Sequence, residues 1–478
     1  MSETTSSSPV QSESPSLLRS LGTADLTWLY VVAIVNLNIV PALSAEGLRI
    51  AWVWCIAITG FFIPEGFAVI ELAERMPGEG GLYLWTCQTS GDFHGFLCGW
   101  CYWLTNVFFV PSLLFSIVGV VTYLGGGALA GSTPFFLILV NGFLWITVLA
   151  NIRGLDVGKW FNNIGGAGAL IITLLLVVLA LTMFHKSAPP HLLSELQIHG
   201  IHDFPFTALS VAFLGLVGLE IGPVMGEEVR EPRRTFPRSI LLGGVICALA
   251  YVGATLALAV AVPKSELAVV EGVIQAIAKM ANPMGMHWLV LAIGVLMVAS
   301  IAGSTSAWVN GSARILFVCG LDRYLPRFLG KVHSRWHSPW AALCMFGAMS
   351  SVVVWMSFVG ASVKDAYLTL LNLSAAIQMV SYMYLFLSLV KIAFAPGFQR
   401  VYFRQGLLKV ISATGLTMTV VAFLSAFIPS SEVGSVWAFV LKMIIGLFLV
   451  LGVACILFWF ATRRGARSGA VLVEDKSG

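Results

Sequence analysis

Asn36-Leu37-Asn38-Ile39-Val40-Pro41 and Gly215-Leu216-Val217-Gly218-Leu219-Glu220-Ile221-Gly222-Pro223 each interrupt a long apolar run. Proline removes a helical hydrogen bond and clashes with the carbonyl four residues before it, while Gly and Asn are weak helix formers. Both runs, over 26–43 and 204–225, are therefore expected to come apart near their middle. Irregular backbone at membrane depth is tolerated only where it is buried in protein or lines a cavity.

Working outward, the other apolar runs cover 50–72, 95–123, 135–150, 160–184, 240–262, 287–309, 339–359, 366–389, 406–428 and 437–460. Each is long enough, or nearly so, to cross a bilayer as a helix. Together with the two interrupted runs they predict an all-α integral membrane protein with twelve transmembrane helices, numbered in chain order as segments one to twelve. Residues 95–152 contain no Asp, Glu, Lys or Arg, and turn residues around Gly125-Gly126-Gly127 divide that stretch into segments three and four.

The composition agrees. Of 478 residues, 58% are hydrophobic and 10% charged, against about 25% charged in soluble domains. With the N-terminus placed in the cytoplasm, 21 of the 27 Lys and Arg fall on the inner side, five fall outside (Arg49, Lys186, Lys264, Lys279 and Lys364), and Lys442 lies within a segment. The positive-inside rule then predicts a multi-pass cell-membrane protein with both termini cytoplasmic. The net charge of +4 is small, and no nucleic-acid partner is expected. Eight cysteines lie in or beside apolar runs, as packing residues do, rather than in a disulfide framework. Residues 1–20 are rich in Ser, Thr, Pro and Glu, have no signal-peptide pattern and read as a disordered cytoplasmic tail; 463–478 form a second tail.

The interrupted segments stand first and sixth, each heading a group of five. This is the positional pattern of inverted repeats with discontinuous helices, in which half-helix ends bind solute near the midplane. Unrelated kinks are the bland alternative, because Gly and Pro are frequent in membrane helices. Glu220 and Glu65 are acids within segments six and two, where a charge is expensive and is expected to face a cavity.

Three spaced motifs carry a family resemblance. Glu71-Leu72-Ala73-Glu74-Arg75-Met76-Pro77-Gly78-Glu79-Gly80-Gly81-Leu82-Tyr83 resembles the E-L-x-x-x-x-P-x-x-G-G-x-Y signature after the second helix of the amino acid, polyamine and organocation (APC) transporter superfamily. Gly218-Leu219-Glu220, followed by Glu227-Glu228 through Pro232 to Pro237, is similar to its G-F-E and E-E-x-x-x-P-x-x-x-x-P. Arg314, Leu325-Pro326, Val332-His333 and Pro339 match its pattern after the eighth helix.

The resemblance implies an amino acid permease-like domain over 21–462 with a LeuT-like fold. Repeats of five helices would cover 24–184 and 204–395, with helices eleven and twelve in 406–460, and access would alternate around broken helices one and six. The arginine/agmatine antiporter branch resembles this chain at three substrate positions. Asn106 ends its W-x-x-N pattern, Trp308 lies eighteen residues before Pro326, and Glu220 ends its G-x-E. Where relatives carry G-S-G in helix one, this chain has Asn36-Leu37-Asn38, so these side chains are themselves candidates for solute contact. The gate position six residues before Glu220 is Leu214, with Phe213 beside it as the candidate gate, and Ala169 replaces a coupling lysine found in some relatives.

The expected substrate site thus comprises Asn36, Leu37, Asn38, Asn106, Phe213, Gly215, Gly218, Glu220 and Trp308. Glu220 and Glu65 are the proton-coupling candidates, and Ser304 and Thr305 are a weaker candidate pair for sodium. Arg314 is expected to pair with Glu71 or Glu228 at an inner gate. Histidines 185, 191, 199 and 202 read as a solvated loop rather than a metal site. Without a P-loop, H-E-x-x-H or other catalytic motif, the chain reads as a non-enzyme that needs no cofactor. The resulting expectation is a proton-coupled or exchanging transporter of neutral or cationic amino acids or related amines. Polyamine transport and transporter-like nutrient sensing are the alternatives, and a homodimer is left open.

Overall fold

The computed structural model describes residues 21–78, 80–125, 133–153, 155–186, 196–198, 200–224, 229–321, 324–336, 338–357, 362–429 and 433–474. The N-terminal tail, Glu228, His191 and His199 lie outside the described residues. Among those described, the only β feature is one parallel bridge between Leu21 and Val229.

Among the described residues, ten helices are long and apolar enough to cross a membrane: Gly47–Arg75, Asp92–Leu124, Pro134–Ile152, Asn163–Met183, Pro232–Ala261, His287–Val318, Trp340–Ser357, Val363–Ala393, Gln405–Ser425 and Val436–Arg463. They are segments two to five and seven to twelve. Segment twelve continues as helix to Glu474, into the expected tail. Segments one and six are built from shorter pieces, Thr23–Ile34 with Val40–Ser44 and Phe206–Leu216 with Ile221–Val224. Both interruptions fall where the Asn, Gly and Pro residues place them.

The charge-free composition of segment three has a structural counterpart, since its apolar window is 78% buried and that of segment ten 72%, against 17% for segment twelve. Segments three and ten therefore form the centre beside the broken pieces. Segment twelve turns Trp437 and Phe448 outward, as a lipid-facing helix does. Segment two holds a π-helical turn at Ile58–Phe62, where Gly60 lies against Met418 of segment eleven. Such turns insert a residue into an α-helix and re-aim the side chains of the next turn; here Pro64 and Glu65 come next.

Candidate functional site

At the first break, Val35–Ile39 lie between helix pieces, and the freed backbone groups find partners. Asn36 Nδ2 donates to Ala33 O at 2.7 Å and Ile34 O at 3.1 Å. Trp308 Nε1 donates to Ala33 O at 2.9 Å, and Tyr251 Oη donates to Ile34 O while accepting from the Asn36 N–H. Ser304 Oγ donates to Asn36 Oδ1, and Tyr367 Oη donates to Asn38 O at 2.6 Å. An unwound turn in an apolar interior is stable because side chains from segments seven, eight and ten take over these bonds.

The breaks face each other. A Cβ on Gly215 would lie 2.5 Å from Ile39 Cδ1, and one on Gly218 would lie 2.8 Å from Ile34 Cγ1 and 3.7 Å from Trp308 Cη2. Gly218 also adopts φ +140°, a conformation side chains disfavour. Its turn aims the Leu219 N–H at Glu65 Oε1, 3.2 Å away.

That turn brings two acids together. Tyr102 Oη donates to Glu220 Oε1 at 2.9 Å. Tyr382 Oη reaches both carboxyls, donating to Glu220 Oε2 and lying 3.1 Å from Glu65 Oε1. Glu65 Oε2 has no hydrogen-bond partner, although Glu65 and Glu220 are both 0% exposed. The buried polar residues among those described include no Lys, Arg or His.

The remaining sequence candidates are distributed unevenly. Asn38 is buried with neither side-chain atom bonded, and Leu37 is buried beside it. Phe213 packs at a tilt on Phe61 of the π-helical turn, with ring centroids 4.7 Å apart. Trp308 is buried with its indole committed to Ala33 and its ring edge-on to Phe109. Asn106 Nδ2 is bonded to Tyr102 O of its own helix at 3.0 Å. Of the two hydroxyls expected to hold sodium, Ser304 reaches the first break, whereas Thr305 Oγ1 donates to Ile301 O within its helix. Glu71, the expected partner of Arg314, has its oxygens engaged by Arg75 and by the backbone of 402 and 403.

Sequence reasoning missed the tyrosines 102, 251, 367 and 382, which hold the broken segments and the acids. For three of them the signal was present: tyrosine in a membrane helix favours the interfaces, and Tyr102, Tyr251 and Tyr382 lie well inside apolar runs, whereas Tyr367 stands at the start of its run. Cavities lie at the two ends of segment two. One of about 550 Å³ is lined by Glu74, Pro77, Pro223, Arg233 and Phe236, and one of about 30 Å³ by Glu46, Thr207, Lys264 and Asn372.

Comparison with known proteins agrees with this architecture. The amino acid permease family model matches residues 21–453. An uncharacterized transporter of Legionella pneumophila is 27% identical, covering 86% of this chain and 90% of the relative. A protein of Lactococcus lactis named as a probable agmatine/putrescine antiporter is 24% identical, over 86% of this chain and 88% of its own. A branched-chain amino acid permease of Bacillus subtilis is 24% identical, over 71% and 75%. With a family model spanning nearly the whole chain and an all-helical membrane architecture beneath it, the chain belongs to the amino acid permease family, whose members are transporters within the APC superfamily and not enzymes.

Proposed function

We propose that this chain is a secondary active transporter carrying amino acids or related organic amines across the cell membrane by alternating access, coupled to protons or by exchange. The carrying observation is that two facing helix breaks enclose two fully buried carboxyls with no buried basic residue described beside them. Carboxyls in such surroundings are stable with a proton on them or a cation beside them. The single phenolic hydrogen of Tyr382 serves only one of the Glu65 and Glu220 carboxyls at a time, and a proton on the other carboxyl, donated to the phenolic oxygen, completes the second contact. An amine entering between the breaks replaces that proton, which supplies both solute recognition and proton coupling.

The five-segment offset between the breaks supports inverted repeats over 24–184 and 204–395 that rock about the site, with both termini cytoplasmic by the basic-residue asymmetry. The pair of acids favours cationic over acidic solutes, a reading supported by the relative named for agmatine and putrescine. Reconstitution into liposomes with labelled amino acids and polyamines, with and without a pH gradient, tests the reading. Saturable uptake that responds to the gradient is expected, and saturable binding without flux would replace transport by sensing.

A further inference from the structure

The linker between segments ten and eleven, residues 394–404, is built onto the end of segment two. Glu71 anchors it. Its carboxylate is fully buried, with Oε1 2.7 Å from both Nε and Nη2 of Arg75. Oε2 accepts the backbone N–H of Tyr402 and of Phe403, each at 3.2 Å. A buried carboxylate is retained only when its lone pairs are met in this way. Arg75 continues the contact: Nη2 donates to Gln399 O at 2.6 Å, and the guanidinium lies 4.8 Å from the centroid of the Phe398 ring. Phe403 packs on Phe67, with centroids 4.7 Å apart, and Gln405 Nε2 ties the linker's far end to Ala393 O at 2.9 Å.

The linker also grips segment seven. Tyr402 Oη donates to Arg233 O at 2.6 Å, and the Arg233 side chain pairs with Glu74. Glu74 and Arg233 both line the 550 Å³ cavity that extends to Pro223, three residues beyond Glu220. The same contacts therefore tie segments two and seven to segments ten and eleven and fix two residues in the wall of this cavity, which ends at Pro223 of the second broken segment.

We propose that the 394–404 linker is a clasp, anchored on Glu71 and Tyr402, whose engagement holds this end of the pathway closed and whose release accompanies opening there. Glu71 and Tyr402 act through Arg233 and Glu74 rather than by touching solute, so they are positioning residues. The coupling to transport rests on the proposed transport function; the clasp itself does not.

The experiment has two arms on the purified full chain in lipid. Hydrogen exchange reads the amides of Tyr402 and Phe403 in the parent, in Tyr402→Phe, which deletes one hydroxyl, and in Glu71→Gln, which preserves shape. Exchange at these two amides is expected to rise about fivefold or more in either variant, the scale of one hydrogen bond. In oriented proteoliposomes, Tyr402→Phe is expected to lower the half-saturation concentration for solute offered from the clasp side and raise it for solute offered from the other, each about threefold. Unchanged amide exchange overturns the clasp. Raised exchange with half-saturation that is unchanged, or that shifts equally from both sides, overturns its link to the pathway. An absence of flux in the parent chain overturns the proposed transport function while leaving the exchange result to stand.

Discussion

Tyr382 sets the chemistry at the level of single residues, because one hydroxyl lies between the carboxyls of Glu65 and Glu220. Glu220→Gln keeps the shape but removes one acid from the pair, so the pH dependence of uptake should flatten and uptake of a cationic amine should fall about tenfold or more, the scale of a charge-assisted contact. Uptake measured across a pH series checks this, and a wild-type profile in the variant would remove Glu220 from coupling. Trp308 makes a different kind of contribution, sharing with Asn36 Nδ2 the Ala33 carbonyl that the first break releases. Trp308→Phe removes one of the two hydrogen bonds to that carbonyl, leaving the one from Asn36 Nδ2, and should cost about 0.5–1.5 kcal/mol, read as a lower melting temperature of the purified protein. The acids were legible in the sequence because charge inside an apolar run is costly. Their tyrosine partners were not, since a one-dimensional pattern shows that Tyr102 and Tyr382 are deep but not that both face Glu220. Asn36 was a candidate for solute contact in the sequence; what the sequence did not show is that its side chain bonds Ala33, Ile34 and Ser304, since an amide beside a broken turn bonds nearby carbonyls.

At the scale of elements, each break depends on what its partner permits. Gly218→Ala forces a side chain into φ +140° and against Ile34. The backbone strain alone should cost about 1–3 kcal/mol. Flux should be lost and thermal stability lowered, and a second change, Ile34→Ala, should restore only the steric part. The short helix Gly272–Ala281, between segments seven and eight, offers a second test. A Cβ on Gly272 would lie 2.8 Å from Pro41 Cβ in the outer piece of segment one, and Val270 and Glu271 lie against Gly119 of segment three. Burial pushes the Glu271 carboxyl above its usual range, with Tyr123 of segment three nearby. The folded helix thus favours the neutral acid: its contribution is complete below the ordinary carboxyl pKa and is lost as pH rises through the raised one. Amide exchange over 272–281 should accelerate with pH in the parent and change less with pH in Glu271→Gln; equal slopes would exclude Glu271 as the titrating group. The breaks were legible because Pro, Gly and Asn act locally. This packing was not, because it joins residues more than a hundred positions apart.

For the whole molecule, the legible part of the fold was what the bilayer dictates: where apolar runs begin and end, and which two come apart. The 394–404 clasp escaped because its links to Glu71 use backbone N–H groups, which no residue pattern marks. Under the proposed function the same distinction governs solute choice: the buried carboxyls would set a charge requirement while the surrounding shape would decide among amines. If a cationic amine displaces the proton shared by Glu65 and Glu220, binding and proton release are one event, and by linkage the affinity falls as pH falls, about tenfold per unit where one proton is exchanged. Calorimetric titration of agmatine or putrescine in two buffers of different ionisation enthalpy counts that proton directly. About one proton released per amine bound is expected, with the count falling towards zero in Glu220→Gln. Binding of these amines with no proton release and no dependence on pH would separate recognition from the carboxyl pair and leave the two acids as structural hydrogen-bond acceptors.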